Sequence, residues 1–458
     1  MSRSKELGTE PIGSLLVKMA VPASVGILVM SIYFIVDTIF VGRFVGTLGI
    51  AAITVVMPIT FFISSIGMAI GVGGASVISR ALGAGEDAKA FHTFGNMLGL
   101  TLTLAVSLVL AGSFFQVPVL QLFGAQGDII DPAQRYFSII LIGVPALAWA
   151  MMSNNVMRAE GRPKMAMLSM MIPAVVNIIL DPIFIIVLDW GLEGAAWATT
   201  ISYYMSAVFT IWFFFLGPSE MKLSWKMLLP AFNLIREIGS IGFVTLARQG
   251  TVSLLTIVLN HSLFAYGDEL AVAIFGIINR IMMFANFPVL GITQGFLPIA
   301  GYNFGAQQWQ RVKETIRISI LSGTAIAVVI LTCILFFAEP IVSLFTNDPD
   351  LLGPTPRALK LAFLAVPLIT AQLIGSAYFQ AVGKALPALF LTMTKQGFFL
   401  IPLVLILPLR FGLDGIWYAF PLSDILAAFV TMGYLLREVR RKLNPAIEHE
   451  LAPEVIQK

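Results

Sequence analysis

Cysteine occurs once, at Cys333, which excludes an intramolecular disulfide and a cysteine-based metal cluster. Histidine is nearly as scarce: His92, His261 and His449 lie far apart and suggest no metal site. Charge is the larger deficit, because only 12% of the 458 residues are Asp, Glu, Lys or Arg, against about 25% in a soluble domain. No phosphate-binding glycine loop, HExxH pair or nucleophile motif is present, so neither enzymatic activity nor a cofactor is expected. Alternating strands of about ten residues are missing too, which excludes a membrane β-barrel. The formal net charge of +3 says little about partners, and no nucleic-acid partner is expected. The first apolar run is too long, and lacks the small-residue cleavage site, for a cleavable signal peptide.

What the chain does have is apolar length. Hydrophobic residues make up 58%, mean hydropathy is +0.91, and the apolar runs are continuous over about 20 residues or more. The reading is an all-α membrane protein, and the 39 Gly and 24 Pro suit helices that pack closely and bend. Twelve spans are predicted near 12–44, 48–79, 90–117, 133–158, 164–188, 192–216, 234–265, 269–303, 315–338, 357–382, 385–409 and 413–436. With both termini in the cytoplasm, Arg3, Lys5, Lys18, Arg80, Lys89, Arg158, Arg162, Lys164, Arg311, Lys313, Arg317, Lys384 and the cluster Arg437 to Lys442 all fall inside. Only Arg43, Arg135, Arg357, Lys360 and Arg410 fall outside, while Arg248, Arg280 and Lys395 lie within spans. This positive-inside bias predicts a multi-pass protein of the inner (cytoplasmic) membrane.

The halves repeat. A shift of 222 residues places Gly83 on Gly305, Pro145 on Pro367 and Gly161 on Gly383. After a one-residue gap, Gly191-Leu192-Glu193-Gly194 falls on Gly412-Leu413-Asp414-Gly415, and Ala198 on Ala419. Six helices per repeat is an even number, so the two bundles share one topology and form an internal parallel repeat. The predicted organisation is an N-terminal six-helix lobe over 1–217, a cytoplasmic linker at 218–233, a C-terminal lobe over 234–438 and a cytoplasmic tail at 439–458. The protein is expected to act as a monomer in contact with membrane lipid.

The first span carries Asp37, a carboxylate costing at least about 2.5 kcal/mol at the bilayer centre, and Pro22, which is expected to bend the helix. The fifth span carries Asn177 and Asp181, four apart and so on one helical face. At about 1.5 Å per residue, Asp181 lies roughly 25 Å from Lys164 and Asp37 roughly 28 Å from Lys18, a similar depth. Thr199 and Tyr136 come to a comparable level. Two carboxylates, an amide, a hydroxyl and a phenol can converge there, an oxygen-rich set suited to a hard cation or to two acids sharing a proton. Each residue also has a plainer reading. Asp181 before Pro182 can cap a helix start, Asp37 can sit at the interface beside Arg43, Thr199 can bond its own helix and Tyr136 can anchor at the interface.

The second half does not repeat these acids: the shift puts Leu259 where Asp37 would be, and Leu403 or Pro402 where Asp181 would be. Its own intramembrane acid, Asp424, is expected to pair with a nearby cation. Met30, Tyr33, Asn154 and Gln294 are assigned to a substrate cavity, and the 20 Met and 35 Phe include soft, adaptable side chains suited to varied apolar ligands.

These features together resemble the multidrug and toxic compound extrusion (MATE) family, most closely its prokaryotic DinF-like branch. The resemblance runs from about Ile12 to Arg437. It rests on Pro22, Asp37 and Asn177 to Asp181-Pro182, with Asn154-Asn155-Val156-Met157-Arg158-Ala159-Glu160-Gly161 and Gly191 to Thr199 as further matching stretches. It implies an antiporter that exports cationic or amphiphilic drugs by rocker-switch alternating access, with Asp37, Tyr136, Asn177, Asp181 and Thr199 tied to cation coupling. If the ion is Na⁺, Asp37, Asp181, Asn177 and Thr199 would be its ligands; H⁺ is equally open. The deep acids of a NorM-type C-terminal lobe are absent, since the tenth span has none and the seventh only Glu237 at its cytoplasmic end. The alternatives are a flippase of lipid-linked precursors, which Arg248, Arg280 and Lys395 would serve, and an uncoupled channel or receptor.

Overall fold

A computed structural model describes residues 3–222 and 225–447. In a bilayer every backbone polar group must be satisfied within its own segment, and the apolar runs accordingly fold as helices. After a short helix at Arg3–Thr9 come α1 (Ile12–Phe44), α2 (Thr47–Gly83), α3 (Asp87–Phe114), α4 (Ile130–Ala159), α5 (Pro163–Pro182) and α6 (Gly191–Phe215). The second half opens with a long helical stretch, Phe232–Gly305, interrupted by non-helical backbone at Gly267 and Asp268. It therefore supplies two spans, α7 (232–266) and α8 (269–305). Next come α9 (Trp309–Ser343), α10 (Pro349–Phe363 and Val366–Ala381, bent by 44°), α11 (Ala385–Phe411) and α12 (Leu413–Glu438). Among the described residues this makes the twelve spans predicted. Helical structure continues past α12 through a π turn at Val439–Leu443 to residue 447; the rest of the expected tail lies outside the described residues.

The repeat is as visible in geometry as in sequence. Gly161 (φ 72°) and Gly383 (φ 81°) both take the left-handed backbone that ends α4 and α10. The following residues close the same turn, Arg162 N to Met157 O at 2.9 Å and Lys384 N to Phe379 O at 2.8 Å. An ion pair repeats as well. Arg135 meets Glu193 at 3.4 Å and Arg357 meets Asp414 at 2.8 Å, two pairs related by the repeat.

By compactness the chain divides into two units, Met1–Glu6 with Val25–Thr245, and Leu7–Ser24 with Leu246–Lys458. This differs from lobes cut at 217 and 234. The two breakpoints are themselves repeat-related, because Ser24 shifted by 222 is Leu246. Within the first unit the start of α7 lies so close to α2 that a Cβ on Gly73 would stand 2.2 Å from the Ile238 carbonyl, and one on Gly242 2.5 Å from that of Ala69. Arg80 pairs with Glu237 there at 2.9 Å. Within the second unit the start of α1 lies against α8, where a Cβ on Gly291 would fall 1.9 Å from Ser24 Oγ and one on Gly295 3.0 Å from Ala20 N. Asn303 Nδ2 donates to Leu7 O (2.9 Å), and Arg311 Nη2 to Glu10 O (2.7 Å). Small residues four apart allow this close approach.

Candidate cation site

Four helices of the first unit bring seven side chains together. Helix α1 supplies Tyr33 and Asp37, α5 supplies Asn177 and Asp181, and α6 supplies Thr199 and Tyr203; each pair is four residues apart and shares a helical face. Helix α4 supplies Tyr136. Asp37 and Asp181 sit carboxyl to carboxyl. Asn177 Nδ2 donates to Thr199 Oγ1 at 3.2 Å, which fixes the amide with its oxygen directed elsewhere. The hydroxyls of Tyr33 and Tyr136 lie against Thr199, and Tyr203 is within electrostatic reach of Asp37.

The site is buried and under-satisfied. Asp181 and Asn177 are 0% exposed, yet among the described residues both carboxylate oxygens of Asp181 and Oδ1 of Asn177 have no hydrogen-bond partner. An orphaned buried acceptor costs on the order of 1–3 kcal/mol, more when charged. Two adjacent buried carboxylates cannot both keep their charge without a counterion. One added monovalent cation, a proton between the acids or Na⁺ among their oxygens, relieves both problems. The all-oxygen donor set fits either.

The plainer readings of Asp181 and Asp37 do not hold here. Asp181 lies within helical backbone that runs from α5 into a π turn at Ile183–Val187, so it caps no helix start. Asp37 is buried while Arg43 is exposed. Thr199 accepts from Asn177, and Tyr136 is buried among the acids. Tyr33, expected in a substrate cavity, belongs to this cluster. Tyr203 was missed, although its spacing from Thr199 repeats the spacing of Asn177 from Asp181.

Other expected residues fall elsewhere. Asn154 Nδ2 donates to Ala166 O (2.6 Å) and Ser169 Oγ (2.9 Å), and its Oδ1 accepts from Arg158. It clamps α4 to α5. Met30 is half-buried on α1 of the first unit and Gln294 half-buried on α8 of the second. The helix continues through Pro22. Asp424 has the expected cation partner, Lys395, at 2.7 Å, whereas Arg280 is exposed.

A protein-family model described as MatE matches residues 22–183 and 246–406, one match in each half. Multidrug export protein MepA of Staphylococcus aureus (strain MSSA476) is 29% identical over 432 residues, covering 93% of this chain and 95% of that protein. Its counterpart in Staphylococcus haemolyticus (strain JCSC1435) is 28% identical, with 93% of each chain covered. A MATE crystal structure in complex with MaL6 superposes with a TM-score of 0.91 at 24% identity, covering 98% of this chain and 100% of that one. A Pyrococcus furiosus Vc1 (DSM3638) transporter of the MOP superfamily, described as having a binding pocket of reverse polarity that suggests a different function, superposes at 0.89 with 25% identity, covering 96% and 98%.

Proposed function

The chain belongs to the MatE family, and from that premise we propose that it is a cation-coupled multidrug exporter of the cytoplasmic membrane with both termini inside. The observation that carries the coupling half of this reading is the Asp37–Asp181 pair, with both Asp181 oxygens orphaned and, among the described residues, no cationic side chain acting on either acid. The cargo half is supported by the relatives, named as multidrug export proteins.

The mechanism is exchange. A proton or Na⁺ from outside cancels one of the two charges of the acid pair and removes the repulsion between α1 and α5. A cationic or amphiphilic cargo is held while the pair carries both charges and released when the coupling ion cancels one, so the two bind in alternation across a rocker-switch cycle. The membrane potential alone supplies about 2.3 kcal/mol per charge per 100 mV. Small-molecule cations are the expected cargo, and transport, not catalysis, is the activity. A flippase for diphosphate lipids is less well supported, because Lys395, one of the three cations it would use, is neutralised by Asp424.

The test is ethidium efflux from proteoliposomes under an imposed H⁺ or Na⁺ gradient. Wild type is expected to respond to one of the two, and Asp37→Asn to lose at least about tenfold of the gradient-driven rate, as removal of a coupling energy of roughly 1.4 kcal/mol would give. Full gradient-driven efflux by a correctly inserted Asp37→Asn protein would end this reading.

A further inference from the structure

The second unit holds a buried charge pair that the coupling mechanism leaves unused. Asp424 of α12 is 2% exposed and receives Lys395 of α11 at 2.7 Å. The repeat gives this pair a meaning. Helices α11 and α12 correspond to α5 and α6, and the 221-residue offset that maps Ala198 onto Ala419 maps Tyr203, beside the first unit's acids, onto Asp424. The second unit thus also has a carboxylate at its version of the site, but one with a cation already attached to the chain.

The lysine is held in place by local structure. It lies in a π turn, Thr394–Leu400, a widened turn that often marks functional positions. The Leu391 carbonyl at the head of that turn accepts from the Gln372 amide of α10 (2.9 Å) and from the Thr394 hydroxyl. Gln372 and Thr394 are both buried, so Gln372 is a positioning residue for the turn that carries Lys395. A buried carboxylate without a partner costs several kcal/mol, which the ammonium offsets.

Resting on the reading that the first unit's acids take the coupling cation, we infer that Lys395 is a tethered counter-cation: it fills the second unit's carboxylate, so that this unit takes no coupling ion. Removing the ammonium converts Asp424 into a site for a free monovalent cation. With Lys395 in place the second unit keeps the same charge throughout the cycle, and the electrical response is confined to the first.

The experiment uses the full chain in detergent and reads tetraphenylphosphonium binding by equilibrium dialysis, with Na⁺ and H⁺ as competitors. All comparisons are made in an Asp37→Asn background, which silences the first site. Adding Lys395→Met is expected to tighten binding about tenfold, the factor that one new charge contact of roughly 1.4 kcal/mol gives. Adding Asp424→Asn on top of it should abolish the gain. Equal binding with and without Asp424 in the Lys395→Met protein overturns the proposal and leaves the pair a packing device. If Lys395→Met does not fold, Lys395→Gln keeps a donor for Asp424 and serves the same comparison with the same two outcomes. Failure of the earlier reading shows separately, as wild-type cation competition in the Asp37→Asn protein alone.

Discussion

Asp181 illustrates a carboxylate kept where folding alone would not choose it. It has no solvent exposure, and among the described residues neither of its oxygens has a hydrogen-bond partner, so its charged form weakens the resting protein. Replacing it by an isosteric amide should therefore separate stability from function. Asp181→Asn is expected to melt at the same temperature as wild type or above it, because a buried charge is removed, while gradient-driven efflux falls at least about tenfold. A melting temperature well below wild type would mean that the carboxylate has a structural partner. Glu160, in the loop between α4 and α5, is a contrasting buried acid that is fully engaged. It accepts from Ser219 Oγ (2.8 Å) and from the Glu220 amide (2.9 Å), and burial pushes its carboxyl up to about 7 despite those bonds. A folded-state value above the unfolded one means that the native protein binds the extra proton. Its stabilising effect is complete below the unfolded value of about 4.5 and is lost as pH rises through about 7. The span corresponds to at most about 3 kcal/mol. Thermal melts from acid to mildly alkaline pH should fall in wild type across this window, and the slope should flatten in Glu160→Gln.

Helices α8 and α1 meet through glycine. A Cβ on Gly291 would lie 1.9 Å from Ser24 Oγ and 2.9 Å from the Ala20 carbonyl, the latter a backbone atom that cannot step aside. Gly291→Val should therefore destabilise by about 1–3 kcal/mol through overpacking, read as a lower melting temperature in detergent. Gly276→Val on the same helix has nothing within 4 Å and should cost little beyond helix propensity. Equal effects would show that the contact between α1 and α8 is not tight in solution. This element also marks the limit of what the sequence discloses. Spans are legible because bilayer thickness sets a length that hydropathy records. The repeat glycines Gly161 and Gly383 are legible because a left-handed turn restricts the residue type. Asp37, Asn177 and Asp181 stood out because intramembrane polarity is costly and their spacing chooses a helical face. What faces a helix is a tertiary property that composition does not encode. Gln294 read as cavity lining, and nothing in the sequence showed that the glycines flanking it, Gly291 and Gly295, hold the start of α1. Asn154 read as a cavity residue, and its bonds to Ala166, Ser169 and Arg158 were not legible. Tyr203 was overlooked because an aromatic within a span draws no notice until an acid is found beside it.

For the whole molecule the unit boundaries matter more than the repeat boundaries. Each half of the chain lends its opening segment to the other half's unit: Leu7–Ser24 groups with residues after 245, and the start of α7 groups with residues before it. The first loan is held by the Asn303 and Arg311 bonds to the Leu7 and Glu10 carbonyls and by the Gly291 and Gly295 approach. The second is held by the Arg80–Glu237 pair, by Ala231 N donating to Asn96 Oδ1 at 2.8 Å, and by the Gly73 and Gly242 approaches. A chain cut in the linker after Lys222 should therefore not yield two independent bundles. Expressed alone, either fragment leaves a glycine-lined helix face and buried polar groups without their partners, and should fail to accumulate as monodisperse protein. Expressed together, residues 1–222 carrying an affinity tag should retain residues 223–458 through detergent purification, since the contacts on both sides are at least partly buried and polar as well as apolar. In proteoliposomes the reassembled pair should recover gradient-driven ethidium efflux, because the acid site lies wholly within residues 33–203 and needs no peptide bond in the linker. Recovery of a stable, folded 1–222 fragment on its own would contradict the exchange. It would mean that the opening segments dock after each six-helix bundle has formed and add little to its stability, a folding order in which the repeat, and not the compact unit, is the thermodynamic domain.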